Sequence, residues 1–311
     1  MMLRPFEQLP FEAVPSAPIR PHPWWRLERL EARVAFNGAP RTMVYRKAGS
    51  GPPLLLVHGF MTTGYSWRYA IEPLAERWTV YAPDLVGCGE SEHPRGSYAP
   101  ERVADAIGSF VRAVGIEGCA AIGNSMGGYL CMHLALRDPN VLSSLVNLHS
   151  PGLVTARMRA LRVALDVVPG WRNALRWVVQ RDAERWVHRN VHYYDERLKS
   201  REEHRVYGGP LETRAGFDGF ASMLDETLDA RAMERFERAL RERGAFPIPL
   251  CLVYAKRDPM VPPEVGERLA AIVRGAALVW MDEASHFAHV DATDRFVAIA
   301  ERFFATEASG R

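Results

Sequence analysis

The chain has 311 residues, 48% of them hydrophobic and 24% charged, with 22 prolines. That is enough apolar content for one large domain or a core with an insertion, and it excludes a disordered or low-complexity chain. Its 39 basic side chains nearly balance 37 acidic ones, and a formal net charge of +2 gives no reason to expect nucleic acid as a partner.

Residues 1–26, opening "MMLRPFEQLPFEAVPSAPIRPHPWW", are read as a proline-rich arm. They lack the continuous apolar core of a secretory signal, and no stretch of the chain is apolar enough to span a bilayer. The prolines disfavour helix and central strand, so the arm should lie over the surface or be mobile, with Trp24, Trp25 and Leu27 anchoring its end or covering a substrate entrance. The segment 32–49 reads as a hairpin turning near Asn37-Gly38, and "PLLLVHG" (53–59) as a buried strand. A helix over "SWRYAIEPLAE" (66–76) follows, then a strand (78–85), a helix (100–115), a strand (119–124), a helix from Ser125, and a strand (142–150).

After Pro151 the rhythm changes. Residues 153–245 contain helical stretches such as "TARMRALRVALDVV", "NALRWVVQRDAERWVHRN" and "ARAMERFERALRERG", and no convincing strand. Strand and helix return as 248–255, "PPEVGERLAAIVRG", 276–284 and a closing helix. The expected architecture is α/β: a doubly wound, mostly parallel sheet built from 27–152 and 246–311, carrying a helical cap (153–245) inserted after the sixth strand.

Gly123-Asn124-Ser125-Met126-Gly127 fits G-x-S-x-G between a strand and a helix, where small flanking residues allow a sharp turn that lifts the Ser125 hydroxyl above the sheet. A serine hydroxyl is a poor nucleophile at neutral pH and needs an imidazole to take its proton and a carboxylate to orient that imidazole. Asp258 stands just beyond the 248–255 strand and His286 just beyond 276–284, so both fall at the carboxyl edge of the sheet beside Ser125, in the order Ser, Asp, His. His289 competes with His286 but should lie on the first turn of the last helix. Asp282 and Glu283 should face solvent or brace the loop. The oxyanion needs donors, for which the backbone N–H groups of Met126 and Phe60 are placed, with the two side chains walling the acyl pocket. His58 and Gly59 support that loop, His58 as a brace.

These stretches, with "LLLVHGF" (54–60), "APDLVGCGES" (82–91), "AIGNSMGG" (121–128), "YAKRDPMVP" (254–262) and "ASHFAHVD" (284–291), resemble α/β-hydrolases that bear a helical cap. The resemblance implies the triad Ser125, Asp258 and His286, with no metal and no organic cofactor. It also gives Asp84, Gly87, Gly89 and Ser91 a structural role in a turn below the site. Ser285 and Asp291 depart from the family's usual residues beside the base. Haloalkane dehalogenases and epoxide hydrolases of this fold use an aspartate at the elbow, where this chain has Ser125. Hydrolases of carbon-carbon bonds in ring-fission products often carry an elbow like "GNSMGG", but also tend to have an asparagine near the first oxyanion loop and a tryptophan after the histidine, where this chain has Phe287.

The expected function is therefore a carboxylic ester hydrolase acting on small-molecule apolar or aromatic esters or related acyl substrates. A carbon-carbon bond hydrolase or a silent ligand-binding module is the alternative, and acyl transfer remains open. The cap side chains Leu161, Leu165, Trp171, Trp177, Trp186, Tyr193, Tyr194, Phe217, Phe220 and Met223 should pack partly on the core and partly on the substrate. Of Arg157, Arg159, Arg162, Arg172, Arg176 and Arg181, any that points inward would favour a carboxylate-bearing substrate and the carbon-carbon reading. Four cysteines (Cys88, Cys119, Cys131, Cys251) without metal or disulfide spacing point to a reducing cytoplasm, and separately a monomer or small homo-oligomer is expected.

Overall fold

In the computed structural model, which describes residues 5–309, eight strands form one sheet. β1 (Arg29–Phe36) and β2 (Ala39–Ala48) make an antiparallel hairpin whose turn residues, Asn37 and Gly38, sit at φ 50° and 76°, as a two-residue hairpin turn requires. β3 (Pro53–Val57) is followed by a 3-10 turn, Gly64–Trp67, and the short α1 (Ile71–Ala75). The helix expected over 66–76 is thus mostly absent. The Gly64 N–H is held by Asp84 Oδ1 at 2.7 Å, which pins the turn, and Pro73 has no N–H for a helix interior, so it sits in the first turn of α1.

The chain continues through β4 (Thr79–Pro83), α2 (Pro100–Ala113), β5 (Cys119–Asn124), α3 (Met126–Arg137) and β6 (Leu142–Leu148). The cap follows: α4 (Ala156–Val167), α5 (Trp171–Arg181), α6 (Ala183–Asn190), α7 (Arg201–Glu212), α8 (Arg214–Ser222), a π turn (Met223–Thr227) and α9 (Ala230–Arg243). The stretch "NALRWVVQRDAERWVHRN" is two helices rather than one. Asp182 leaves helical geometry at φ −163°, and its carboxylate caps α6 by accepting the Arg185 N–H at 2.9 Å. β7 (Leu250–Ala255), α10 (Pro263–Ile272), β8 (Ala277–Met281), α11 (Ala288–Asp291) and α12 (Thr293–Ser309) complete the core.

The strand order is β1-β2-β4-β3-β5-β6-β7-β8, parallel from β4 onward. The chain winds first to one side of β3 and then crosses back to β5, so the order reverses between these two strands, where open α/β sheets leave a crevice at their carboxyl ends. Both sheet faces are covered. Leu55 and Val57 of β3 pack into one apolar cluster with Phe110 and Tyr129, while Leu54 and Leu56 enter the opposite one with Trp67, Ile71 and Phe296. This two-sided burial explains the near-continuous apolar runs of β3, β5 and β7.

The cap is tied down by a fully buried ion pair between Arg68 of the core and Glu203 of α7, to which the Tyr193 hydroxyl donates at 2.8 Å. The proline-rich arm is bound to the same region. Pro15 and Ser16 carbonyls accept the N–H groups of Arg201 and Glu202 at 2.8 and 3.1 Å, and Phe11, Val14 and Trp24 are buried, while Trp25 is exposed. Among the described residues no helix is long and apolar enough to cross a membrane.

Candidate active site

Ser125 stands between β5 and α3 at φ 52° and ψ −120°, a strained conformation for a residue with a side chain, and its N–H is fixed by the Leu148 carbonyl at 2.7 Å. The neighbours make such a turn possible by being absent as side chains. A Cβ on Gly123 would lie 2.6 Å from Gly128 Cα, and one on Gly127 would lie 2.3 Å from the Val57 carbonyl oxygen, so α3 can approach β3 and β5 only with glycine there.

Asp258 and His286, on the loops after β7 and β8, are joined by a hydrogen bond of 2.7 Å between Nδ1 and Oδ2. Asp258 Oδ1 accepts the N–H groups of Met260 and Val261 at 2.7 and 3.0 Å, which fixes the carboxylate's orientation. Burial pushes the Asp258 carboxyl up. His286, His149 and the Val261 N–H more than offset this and hold it below the ordinary aspartate range, so it is an anion. An anionic carboxylate can only accept, so His286 Nδ1 donates this bond. Ser125 and His286 share the wall of one cavity of about 680 Å³. Among the described residues no direct hydrogen bond joins them, a spacing that active sites commonly close only around a substrate.

Phe60 and Gly59 form another part of the wall. The Gly59 carbonyl is engaged by His58 Nδ1 at 2.8 Å and by the Thr62 hydroxyl at 3.0 Å. His58 Nε2 accepts the Leu85 N–H at 3.0 Å, so the proton is on Nδ1; burial lowers this histidine to about 4 and keeps it neutral. His58 is thus a brace between two loops. No acceptor among the described residues takes the N–H of Phe60 or of Met126, and the latter is a first-turn donor that α3 cannot satisfy itself. The Met126 side chain does not wall the cavity as expected. It packs into the core cluster, an unbranched thioether filling the irregular space beside the glycines of α3.

The rest of the lining is apolar apart from one cation and Thr155, whose hydroxyl caps α4 by accepting the Met158 N–H at 3.3 Å. Met158 and Leu161 of α4, Leu224 and Leu228 around the π turn, and Pro259, Met260 and Pro262 after β7 surround the space, with Arg157 at the start of α4. Of the ten cap side chains singled out by size, Leu161 alone reaches this cavity; Tyr193, Phe217 and Met223 are buried in packing, and Trp177 is exposed. No described residue of the arm lines it either, so Trp24 and Trp25 do not cover the entrance.

His289 lies on the separate short α11 rather than on the last helix, with its ring 4.2 Å from that of Trp67 and no hydrogen bond to either nitrogen. Burial lowers it well below its ordinary range. Asp282 is exposed and pairs with Lys256 at 2.7 Å. Asp84 accepts the N–H groups of Gly64 and Glu90, both at 2.7 Å, as a turn brace below the site. Asp291 accepts the N–H groups of Ser285 and Tyr194 at 3.1 and 2.8 Å, linking the His286 turn to the cap.

Two residues here escape sequence reading. Asn124 Nδ2 donates to the His286 carbonyl at 3.0 Å. His149, at φ 54°, accepts the Ala255 N–H at 2.7 Å and lies 5.6 Å from the His286 ring. Among the described residues no group of three or more His, Cys, Asp or Glu side chains is arranged to hold a metal.

A crevice at the carboxyl end of a parallel sheet, with a serine on a strained strand-to-helix turn and a carboxylate-bound histidine, is the architecture of a hydrolase. The alpha/beta hydrolase fold family model matches residues 52–293, and the chain belongs to that family. Haloalkane dehalogenase 2 of Mycobacterium tuberculosis is 30% identical over 283 residues, covering 86% of this chain and 93% of the relative. The 2-hydroxymuconate semialdehyde hydrolase of a Pseudomonas species is 26% identical over 265 residues, covering 83% and 88%. Among solved structures, the meta-cleavage product hydrolase of Pseudomonas fluorescens superposes with a TM-score of 0.67 at 24% identity, covering 91% of this chain and 99% of that one, a likeness of fold. At the level of the superfamily the activity is hydrolysis of small organic substrates.

Proposed function

We propose that Ser125 is the nucleophile, His286 its acid-base partner, Asp258 the group that orients His286, and the N–H groups of Phe60 and Met126 the oxyanion donors. The observation that carries this reading is the 2.7 Å His286–Asp258 bond on the wall of the cavity that also holds Ser125. His286 takes the Ser125 proton as Oγ attacks a carbonyl carbon, and the two N–H groups hold the developing oxyanion. Collapse expels the leaving group, which takes the proton from His286. Water, activated by the same ring, then releases the acid from Ser125.

A serine at the elbow argues against dehalogenation. An alkyl group transferred to Ser125 would be an ether, with no carbonyl for water to attack, whereas an acyl group forms an ester that water can open. Two acyl classes remain. Arg157 at the cavity wall, with no carboxylate partner among the described residues, supports a carboxylate-bearing substrate. Together with the hydroxymuconate relative, this favours carbon-carbon cleavage of a ring-fission dienoate, whose leaving carbon is a conjugated dienolate. The otherwise apolar lining supports the second reading, an ester whose leaving group is an alkoxide.

The test compares wild type, Ser125→Ala and Arg157→Gln on short-chain and medium-chain p-nitrophenyl esters and on a ring-fission dienoate. Ser125→Ala should lower every rate by a factor on the order of 10⁴ while remaining folded; wild-type-like turnover would refute the triad. Faster dienoate turnover, with KM for it raised about tenfold in Arg157→Gln and esters unaffected, is the result expected of the first reading. Ester turnover without dienoate cleavage assigns the second.

A further inference from the structure

Of the nine large apolar side chains that stand exposed among the described residues, six (Leu161, Val163, Val167, Val168, Trp177 and Val178) fall in one stretch of the cap. α4 buries no residue at all. Its apolar side chains divide between two sides: Met158 and Leu161 line the cavity, while Ala160, Val163, Ala164 and Val167, spaced i, i+3, i+4 and i+7, are all exposed. α5 repeats the spacing with Ala174, Trp177, Val178 and Arg181, again all exposed. Two successive helices each turn such a stripe to water, which marks this segment of the cap as an interaction surface.

Charge identifies what fits it. Residues 155–190 hold eight arginines against three acidic side chains, a formal +5 within a chain that carries +2 in all. Arg159, Arg162, Arg172 and Arg185 are paired with carboxylates. Arg157, Arg176, Arg181 and Arg189 have no such partner among the described residues. Arg181 at the end of α5 and Arg185 and Arg189, a turn apart on α6, line a groove of about 520 Å³ with Trp177, Trp186 and Asp182, whose carboxylate is taken by Arg185, and the Arg181 guanidinium lies 5.6 Å from the centre of the Trp177 ring. A second copy of the chain is a poor occupant, because a two-fold pairing would set the same arginines against one another.

We infer that the α4–α5 face of the cap docks on an anionic lipid surface. The valines and Trp177 enter the boundary between headgroups and acyl chains, and Arg176, Arg181 and Arg189 meet lipid phosphates, with their aliphatic stems lying on the apolar layer, while Arg157 stays with the cavity wall. Because Met158 and Leu161 of the same helix wall the cavity, docking sets the cavity's rim beside the lipid. The inference concerns attachment and stands apart from the reaction proposed above.

Sedimentation of the full chain with vesicles tests it, using phosphatidylcholine alone or mixed equally with phosphatidylglycerol. The protein should pellet with the mixed vesicles, stay in solution with the neutral ones and be released by raised salt. Arg181→Gln with Arg189→Gln, and separately Val163→Ser with Val167→Ser and Trp177→Ser, should each weaken binding about tenfold. These side chains are exposed, so melting temperatures should hold. A wild type that ignores anionic vesicles, or variants that bind as well as it does, would overturn the proposal. So would a lipid-free dimer in analytical ultracentrifugation that the serine variant disperses. Turnover of a soluble substrate without vesicles reads the chemistry separately, so the two proposals fail independently.

Discussion

Asn124 occupies the position that the elbow pattern leaves open, yet its amide bridges the elbow and the turn that carries the imidazole through the 3.0 Å bond to the His286 carbonyl. Replacing it with alanine removes a buried hydrogen bond worth about 1 kcal/mol and lets the His286 turn drift from Ser125. Asn124→Ala should therefore lower kcat about tenfold with KM nearly unchanged and a slightly reduced melting temperature. Steady-state kinetics with an unchanged kcat would show that the bond does not position His286. The strand-end positions of Ser125, Asp258 and His286 are legible in the sequence because motif and strand rhythm converge there. Asn124 and His149 are not, since each acts on a main-chain atom from a distant segment that only the folded sheet brings within reach.

At the scale of elements, the cap is held over the core by charges that look like ordinary surface residues in the sequence. Glu203 follows Arg201 and Glu202 at the start of α7, and nothing in that run distinguishes it as the one that is fully buried against Arg68 and Tyr193. Glu203→Ala would leave the Arg68 guanidinium buried without its counter-ion, a loss of about 3–5 kcal/mol. Denaturant titration should show the midpoint falling accordingly, and Arg68→Met with Glu203→Leu should recover much of it; an unaltered midpoint in the single variant would show that the pair does not anchor the cap. The strands and most helices can be read from their apolar periodicity. The turn at 64–67 and the break at Asp182 cannot, because an Asp84 side chain from another loop fixes the first and a capping geometry decides the second.

Across the whole molecule, burial keeps five histidines uncharged: His58 is lowered to about 4, His133, His149 and His204 to about 3, and His289 well below its ordinary range. In the unfolded chain each takes up a proton near pH 6.5. Below that pH the unfolded state binds more protons, so stability falls as pH drops from about 6.5 towards 4. Asp84 and Asp291 act in the opposite sense. Burial raises each from 3.8 to about 6, so over that interval the folded state holds the extra proton and gains stability as pH falls. The five histidines outweigh these two carboxylates and Glu203, which burial also raises, and the melting temperature should be clearly lower at pH 5 than at pH 7.5. An equal or higher value at pH 5, measured by calorimetry, would contradict the assignment of these histidines as neutral.

The central claim is that Ser125 is an activated nucleophile. Its most direct test is intact-mass measurement after exposure to a fluorophosphonate probe, with the adduct mapped by peptide sequencing. Wild type should gain one adduct, on Ser125, and the folded Ser125→Ala protein none, with labelling greatly slowed in His286→Ala. A folded wild type that resists the probe, or an adduct that persists in Ser125→Ala, would contradict the account and leave the cavity as a binding site only.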